Sequence, residues 1–306
     1  MDLFIAIFQG IIIASTPLVL AAIGELVVEK SGVLNLGVEG MMIIGAVTSF
    51  IVTYETGSHF LGLIAAVISA GLVASLFGLL TQYLLSNQVA TGLALTLFGL
   101  GLASLIGQTY SGISLDAFPV FDVYLLTEIP IIGSLLFNFD YLIYLSIIIV
   151  VSVYYFLNKT KLGLVLTAIG DSHDSAHSLG YSVKMVRLFA IIFGGSCAGL
   201  GGAYLSLVQT PMWVENMTAG RGWIALAIVV FAVWRPLWIL VGAYIFGGIT
   251  IIQLHVQALG VNIGAQYMSM MPYLVTIVVL VFISVNKNRL AVNAPSCLNK
   301  LFTSDL

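Results

Sequence analysis

The sequence predicts an all-α fold: a polytopic helical membrane protein with about eight to nine transmembrane helices, some of them interrupted. Three observations lead there. Hydrophobic residues make up 60% of the chain and charged residues only 8%, whereas soluble domains carry roughly 25% charged residues. Mean hydropathy is +1.12. Apolar stretches close to twenty residues long recur from end to end, which is the length a helix needs to span a bilayer. These stretches are continuous and rich in Gly, Ala, Leu and Ile, not alternating, so a membrane barrel is excluded.

Taken in order, the spans fall at 3–24, 35–53, 60–84, 88–107, 140–157, 187–208, 222–234, 236–258 and 272–285. The stretch 222–234 is too short alone and crosses only if its helix extends backward through "NMTAGRG", 216–222. Nine crossings place the N-terminus outside and the C-terminus in the cytoplasm. Lys30, Lys159, Lys161, Lys184, Arg187, Arg235, Lys287, Arg289 and Lys300 then all face inward, leaving only Arg221 outside. Asp116, Asp122, Glu128, Asp140 and Glu215 collect in the outer loops. The first span lacks a basic leader, since no Lys or Arg precedes Lys30, and is expected to remain as a helix. The two cysteines, Cys197 and Cys297, do not form a disulfide framework. A net charge of −3 without a basic stripe implies no nucleic-acid partner.

This arrangement makes 158–186 a cytoplasmic loop and 108–139 an outer loop. The cytoplasmic loop carries "AIGDSHDSAHSLG", 168–180, the most polar run within the membrane part of the chain. His173 and His177 stand at i and i+4, as in a zinc hydrolase, but Asp174 replaces the Glu and no third ligand is nearby. The segment is therefore read as an amphipathic helix, with Leu166, Ile169, Ala176 and Leu179 as its apolar stripe and Asp171, Asp174 and His177 on the wet side. No metal site is expected. Neither a phosphate-binding lysine loop nor a dinucleotide fingerprint occurs, so the chain has no energy source of its own. The glycine-rich run "GGSCAGLGGAY", 194–204, lies inside a span, where small residues let helices approach closely. Glu25, Glu29 and Glu39 cluster around the turn after the first helix and need not lie deep.

"TPLVLAAIGELVVEKSGVLNLGVEGMMIIGA", 16–46, and "VENMTAGRGWIALAIVVFAVWRP", 214–236, resemble hallmark stretches of ATP-binding-cassette importer permeases. The likeness is to the branch of branched-chain amino acid and ribose permeases, and most of all to nucleoside or simple-sugar permeases. "TKLGLVLTAIGDSHDSAHSLGYSVKMVR", 160–187, is similar to their cytoplasmic coupling segment. The resemblance implies a single transmembrane permease domain over 1–290, followed by a cytoplasmic tail at 291–306, in a multi-pass protein of a bacterial inner (plasma) membrane. It implies partners: ABC ATPase subunits that alone use ATP, a second permease subunit and an extracytoplasmic binding protein. It implies no enzymatic activity, no cofactor of the chain's own, and nucleosides as substrate, with simple sugars or branched-chain amino acids as alternatives. Gly163, Ala168, Ile169, Gly170, Asp171, Ala176 and Gly180 occupy the family's coupling positions, with Asp171 where Glu is usual and His173 where Pro is common. A self-sufficient carrier or channel is the competing class.

Transport sites form where helices are interrupted in corresponding positions of two halves. "GVLNLGVEGM" carries Asn35 and Glu39; "WVENMTAGRGW" carries Trp213, Glu215, Asn216, Arg221 and Trp223. These are the candidate pathway residues: amide and carboxylate groups for hydroxyls, and an indole for a base. The competing readings are Trp213 and Trp223 as interfacial anchors, Asn35 or Glu39 as helix caps, and an Arg221–Glu215 structural pair.

Overall fold

The computed structural model describes residues 2–122, 138–258 and 293–303, with scattered positions between 267 and 281. Ten helices are followed here: α1 (Asp2–Lys30), α2 (Val38–Thr56), α3 (His59–Gly78), α4 (Gln88–Gly107) and α5 (Tyr141–Lys159), then α6 (Lys161–Asp171), α7 (His173–Ser178), α8 (Val183–Tyr204), α9 (Arg221–Phe231) and α10 (Pro236–Ala258). One π-helical turn, Leu79–Tyr83, prolongs α3, and another, Leu205–Gln209, prolongs α8. Among the described residues, seven helices are long and apolar enough to cross a membrane: α1 to α5, α8 and α10. The last expected span, 272–285, lies largely outside the described residues.

Polar residues at the boundaries start the helices. Asp140 Oδ1 accepts the Leu142 and Ile143 N–H groups at 3.0 and 3.1 Å to open α5. Asn87 does the same for α4 through Ala90, and Thr160 for α6 through Gly163. Gly57, at φ 69°, closes α2 in the left-handed conformation.

Helix α8 packs against α1, α2 and α3 and fills the centre of the bundle. Its glycines permit this, as the run 194–204 suggested. A β-carbon on Gly199 would fall 2.5 Å from the Ala66 carbonyl of α3, one on Gly194 would strike Val28 of α1, and one on Gly202 would strike the Met42 carbonyl of α2. Without a hydrophobic drive between helices in lipid, such close contact supplies the packing energy.

The basic residues mark one end of the molecule, here termed basal. Lys30 ends α1, Lys159 and Lys161 flank the α5–α6 turn, Lys184 opens α8, and Arg235 separates α9 from α10. At the opposite end, Val120–Asp122 pairs antiparallel with Asn138–Asp140, and the Tyr204 hydroxyl donates to Asp140. Arg187 lies at the same end but is fully buried, bonded to the Ser31 carbonyl beside Lys30.

The stretch 222–234 also differs from expectation. Its helix, α9, has only 11 residues and does not extend backward, because 215–220 form turns. At 1.5 Å per residue, α9 covers about half of a hydrocarbon core roughly 30 Å thick. The chain nevertheless passes from end to end. Met212 and Trp213 bridge to Ser114 and Ser111 beyond the end of α4, whereas the Trp234 indole donates to Glu29, near the basal end of α1. The crossing consists of an irregular half and a helical half. Asn216, Ala219 and Gly220 all take positive φ (55°, 45° and 82°), a run of left-handed residues no helix tolerates.

Overpacking a close helix contact costs about 1–3 kcal/mol. Gly199→Leu should lower the melting temperature of the purified protein accordingly. Gly101→Ala, where nothing lies within 4 Å of the added carbon, should not.

Candidate functional site

The broken crossing is fastened by one carboxylate. Glu39, in the first turn of α2 and only 2% exposed, accepts the Gly220 N–H on Oε1 at 2.8 Å and the Gly222 N–H on Oε2 at 2.6 Å. Those donors open α9, and a helix start carries partial positive charge, so an anion there is favourable. Gly222 must be glycine: a β-carbon would lie 2.6 Å from the Glu39 Cα. One reading of the sequence makes Glu39 a cap of its own helix. It caps a different one, 183 residues away.

The other pathway candidates separate into two groups. Asn216, Arg221 and Trp223 lie with Glu39 around the start of α9; Asn216 is exposed and Trp223 is 48% exposed. Arg221 Nη1 donates to the Met217 carbonyl at 2.8 Å, and among the described residues no ion pair joins it to Glu215, which is exposed. The Tyr273 hydroxyl also approaches this point: it would lie 3.3 Å from a β-carbon on Gly220. Asn35 and Trp213 lie elsewhere. Asn35 is fully buried, its Oδ1 accepts the Gly37 N–H at 2.9 Å, and its own N–H donates to Glu25, so it braces the α1–α2 turn. Trp213 is 1% exposed and packs on Gly107, making it a packing residue and not an interfacial anchor.

Glu25 and Glu29 are deeper than their sequence position suggested, each 1% exposed. Glu29 Oε2 accepts the Trp234 indole N–H at 2.5 Å. The acidic groups of the first hallmark stretch thus hold both ends of α9, Glu39 at its start and Glu29 just beyond its finish.

At the basal end, 160–182 folds as two helices, α6 and α7, instead of one. The break falls at Ser172, whose extended backbone (φ −152°) caps α7. Gly163 sits where a β-carbon would strike the Phe156 carbonyl, and Gly170 where one would strike the Lys30 carbonyl. Ile169 and Ala176 are buried together with Val183 and Phe302, while Ala168 and Asp171 are exposed. Gly180 takes φ 89° at the tip. The expected apolar stripe holds for Leu166, Ile169 and Ala176 but fails for Leu179, which is 77% exposed because the chain turns out of helix there.

The histidines take packing roles. His173 Nδ1 accepts from Arg187 Nη2 at 3.2 Å, its Nε2 faces Asp174 Oδ1 at 3.5 Å, and both His173 and His177 rings pack edge-on to Phe302. Arg187 also donates through Nε to the Ser31 carbonyl and through Nη1 to the Lys300 carbonyl. The tail completes the knot: Cys297 N–H donates to the Gly170 carbonyl, Asn299 N–H to the Gly32 carbonyl, and Lys30 Nζ to the Asn293 carbonyl. No signal short of tertiary contact links 293–302 to the loop. Among the described residues, no three His, Cys, Asp or Glu side chains cluster as metal ligands.

Burial, and then the Arg187 charge, hold the His173 imidazole below its usual range. The knot is therefore fully stable above the ordinary histidine pKa of about 6.5 and weakens as pH falls through the lower folded value. Opening of the knot, read as the rate of Cys297 labelling corrected for the thiolate fraction at each pH, should increase as pH falls below about 6.5, and His173→Phe should remove that acid response.

Comparison with known proteins agrees with the geometry. A family model described as the permease component of the branched-chain amino acid transport system matches residues 7–281. A putative glucose ABC transporter permease of Haloferax volcanii is 38% identical over 96% of each chain. A nucleoside ABC transporter permease of Lactococcus lactis and a guanosine ABC transporter permease of Bacillus subtilis are each 29% identical over 90% of each chain. No solved structure matches. With seven apolar helices, a half-helix start gripped by Glu39 and a match over nearly its whole length, the chain belongs to the branched-chain amino acid transport system permease family and is an ABC transporter permease, not an enzyme.

Proposed function

We propose that this permease forms the pathway of an importer for sugar-bearing solutes, monosaccharides or nucleosides, and is driven from its basal, cytoplasmic end by a separate ATPase. The observation that carries the reading is the basal hairpin. It presents Leu179 and Tyr181, 77% and 45% exposed, on a segment locked into the bundle by Arg187 and the tail. Two exposed large apolar side chains together at a water-facing tip suit a groove on a partner. The lock suits transmission, since a displaced hairpin must drag α1 and α8 with it. Gly163, Gly170 and Gly180 give the hairpin its tight packing and turn; Ala168, Asp171 and the α7 tip form its outer face. The relatives' names support the substrate class. The glucose permease is the more similar of those compared, and nucleosides share with monosaccharides a ring of hydroxyls.

In this scheme Asn216, Arg221 and Trp223 meet the solute, and Glu39 holds the half-helix that presents them. A second permease subunit faces this one across the pathway, and an extracytoplasmic binding protein delivers the solute to the far end. A self-sufficient carrier would need no hairpin partner and would transport alone in liposomes.

Two experiments test the proposal. Leu179→Asp should reduce copurification of the ATPase at least tenfold, in line with loss of a central contact worth about 2 kcal/mol; unchanged copurification would refute the coupling role. Glu39→Gln removes a charged acceptor worth about 1.5–3 kcal/mol, so uptake by the reconstituted complex should fall roughly tenfold or more, as it should for Asn216→Ala. Normal uptake by both, with assembly intact, would remove them from the pathway. Comparing labelled glucose with labelled guanosine in the same assay decides between the two solute classes.

A further inference from the structure

A polar cavity lies at the basal corner between α5, α6 and α10, just beyond the finish of the half-helix. It has a volume of about 560 Å³, and its walls include Lys30, Arg235, Asn158, Tyr154 and Trp238. Lys30 and Arg235 reach it from different elements and repel one another; Asp171 offsets one of the two charges and leaves the other uncompensated. The Lys30 ammonium already has the Asn293 carbonyl as an acceptor. The Arg235 guanidinium has no hydrogen bond or ion pair among the described residues, and Arg235 is exposed. Its position is set at a cost: Val233 and Trp234, immediately before it, hold φ of 50° and 52°, a conformation unfavourable to a β-branched residue. Leu157, Leu164 and Leu237 give the wall an apolar flank beside the polar groups.

A cavity with two converging cations, an apolar flank and an aromatic rim at the end of membrane-spanning helices matches one kind of ligand. From this geometry we infer that the corner binds the phosphate of an anionic phospholipid, with Arg235 as the principal contact and Lys30 as the second. The guanidinium fork pairs with phosphate oxygens in a bidentate way. Tyr154 and Trp238, 40% and 52% exposed, sit as amphipathic rings do at headgroup level, and basic pockets between membrane helices are suited to anionic headgroups. Because α6 forms one wall and Asn293 of the tail another, a lipid seated there would brace the hairpin where it meets the tail. The inference rests on the cavity and its charges alone, so it stands or falls separately from the proposed solute and ATPase coupling.

The test uses the full-length protein, purified and stripped of lipid, with thermal unfolding followed during titration with phosphatidylglycerol. Phosphatidylcholine of the same chains and inorganic phosphate are run in parallel. Phosphatidylglycerol should raise the melting temperature of the wild type, whereas phosphatidylcholine should not. Arg235→Gln should require at least about fivefold more phosphatidylglycerol, the effect of one basic group at a charged interface, and Arg235→Lys should recover most of the response. Asn158→Asp, an exposed wall position that brings negative charge to the cavity without touching the Val233–Arg235 turn, should weaken the response in the same direction. An equal response from wild type, Arg235→Gln and Asn158→Asp would overturn the assignment. Equal stabilisation by inorganic phosphate at matched concentration would overturn the lipid as the source.

Discussion

The Glu39 carboxylate, bonded to the Gly220 and Gly222 N–H groups, is the contact on which this architecture depends. A membrane interior supplies no water to satisfy backbone donors, so irregular chain at that depth needs an internal partner for each group. The passage from Met212 to Trp234 includes about half its length in turns, and its helix begins inside the protein. A carboxylate from a neighbouring helix meets both donors at that point, one on each oxygen. The demand propagates outward: Gly222 must lack a side chain, α2 must begin beside it, and Gly40 must let α2 settle against the Leu95 carbonyl of α4.

A second constraint operates at the basal end, where a buried guanidinium organises the chain. Arg187 carries five donors into a place with no solvent, and Ser31, Lys300 and His173 supply its acceptors. These belong to the α1–α2 turn, the tail and the hairpin. One side chain of α8 thus ties together the three segments that would otherwise be loose at that surface. Burying an arginine is unfavourable unless its donors are met, which makes the arrangement all-or-none: the hairpin, the tail and the end of α1 move together or separate together.

The two devices share helix α1. Glu25 and Glu29 lie on it one turn apart, the first receiving the Asn35 N–H and the second the Trp234 indole. The same helix ends at Lys30, whose carbonyl leaves no room for a side chain on Gly170. The hairpin and the finish of the half-helix therefore both rest on one element, α1.

Sequence by itself determined the elements whose cause is local. Runs of apolar residues near bilayer length placed α2 to α5, α8 and α10 closely, and α1 except for its last turn and a half to Lys30, because in lipid a continuous apolar run has no other stable form. Small residues at 194–204 announced close packing for the same reason. The interruption at 216–222 was legible as a departure from that pattern, but not its outcome: the sequence asked for a longer helix, and the left-handed run at Asn216, Ala219 and Gly220 gave a shorter one. Tertiary structure alone decided which polar groups answer one another. Glu39 and Gly222 are 183 positions apart, and Arg187 and Lys300 are 113 apart; a spacing of that length carries no periodic signal. His173 and His177 looked like a ligand pair because i and i+4 share a helix face, yet what occupied that face was Phe302 from the tail. Hydrophobic length is a property of a segment. The satisfaction of a buried charge is a property of the assembled protein, and it appears only when distant segments meet.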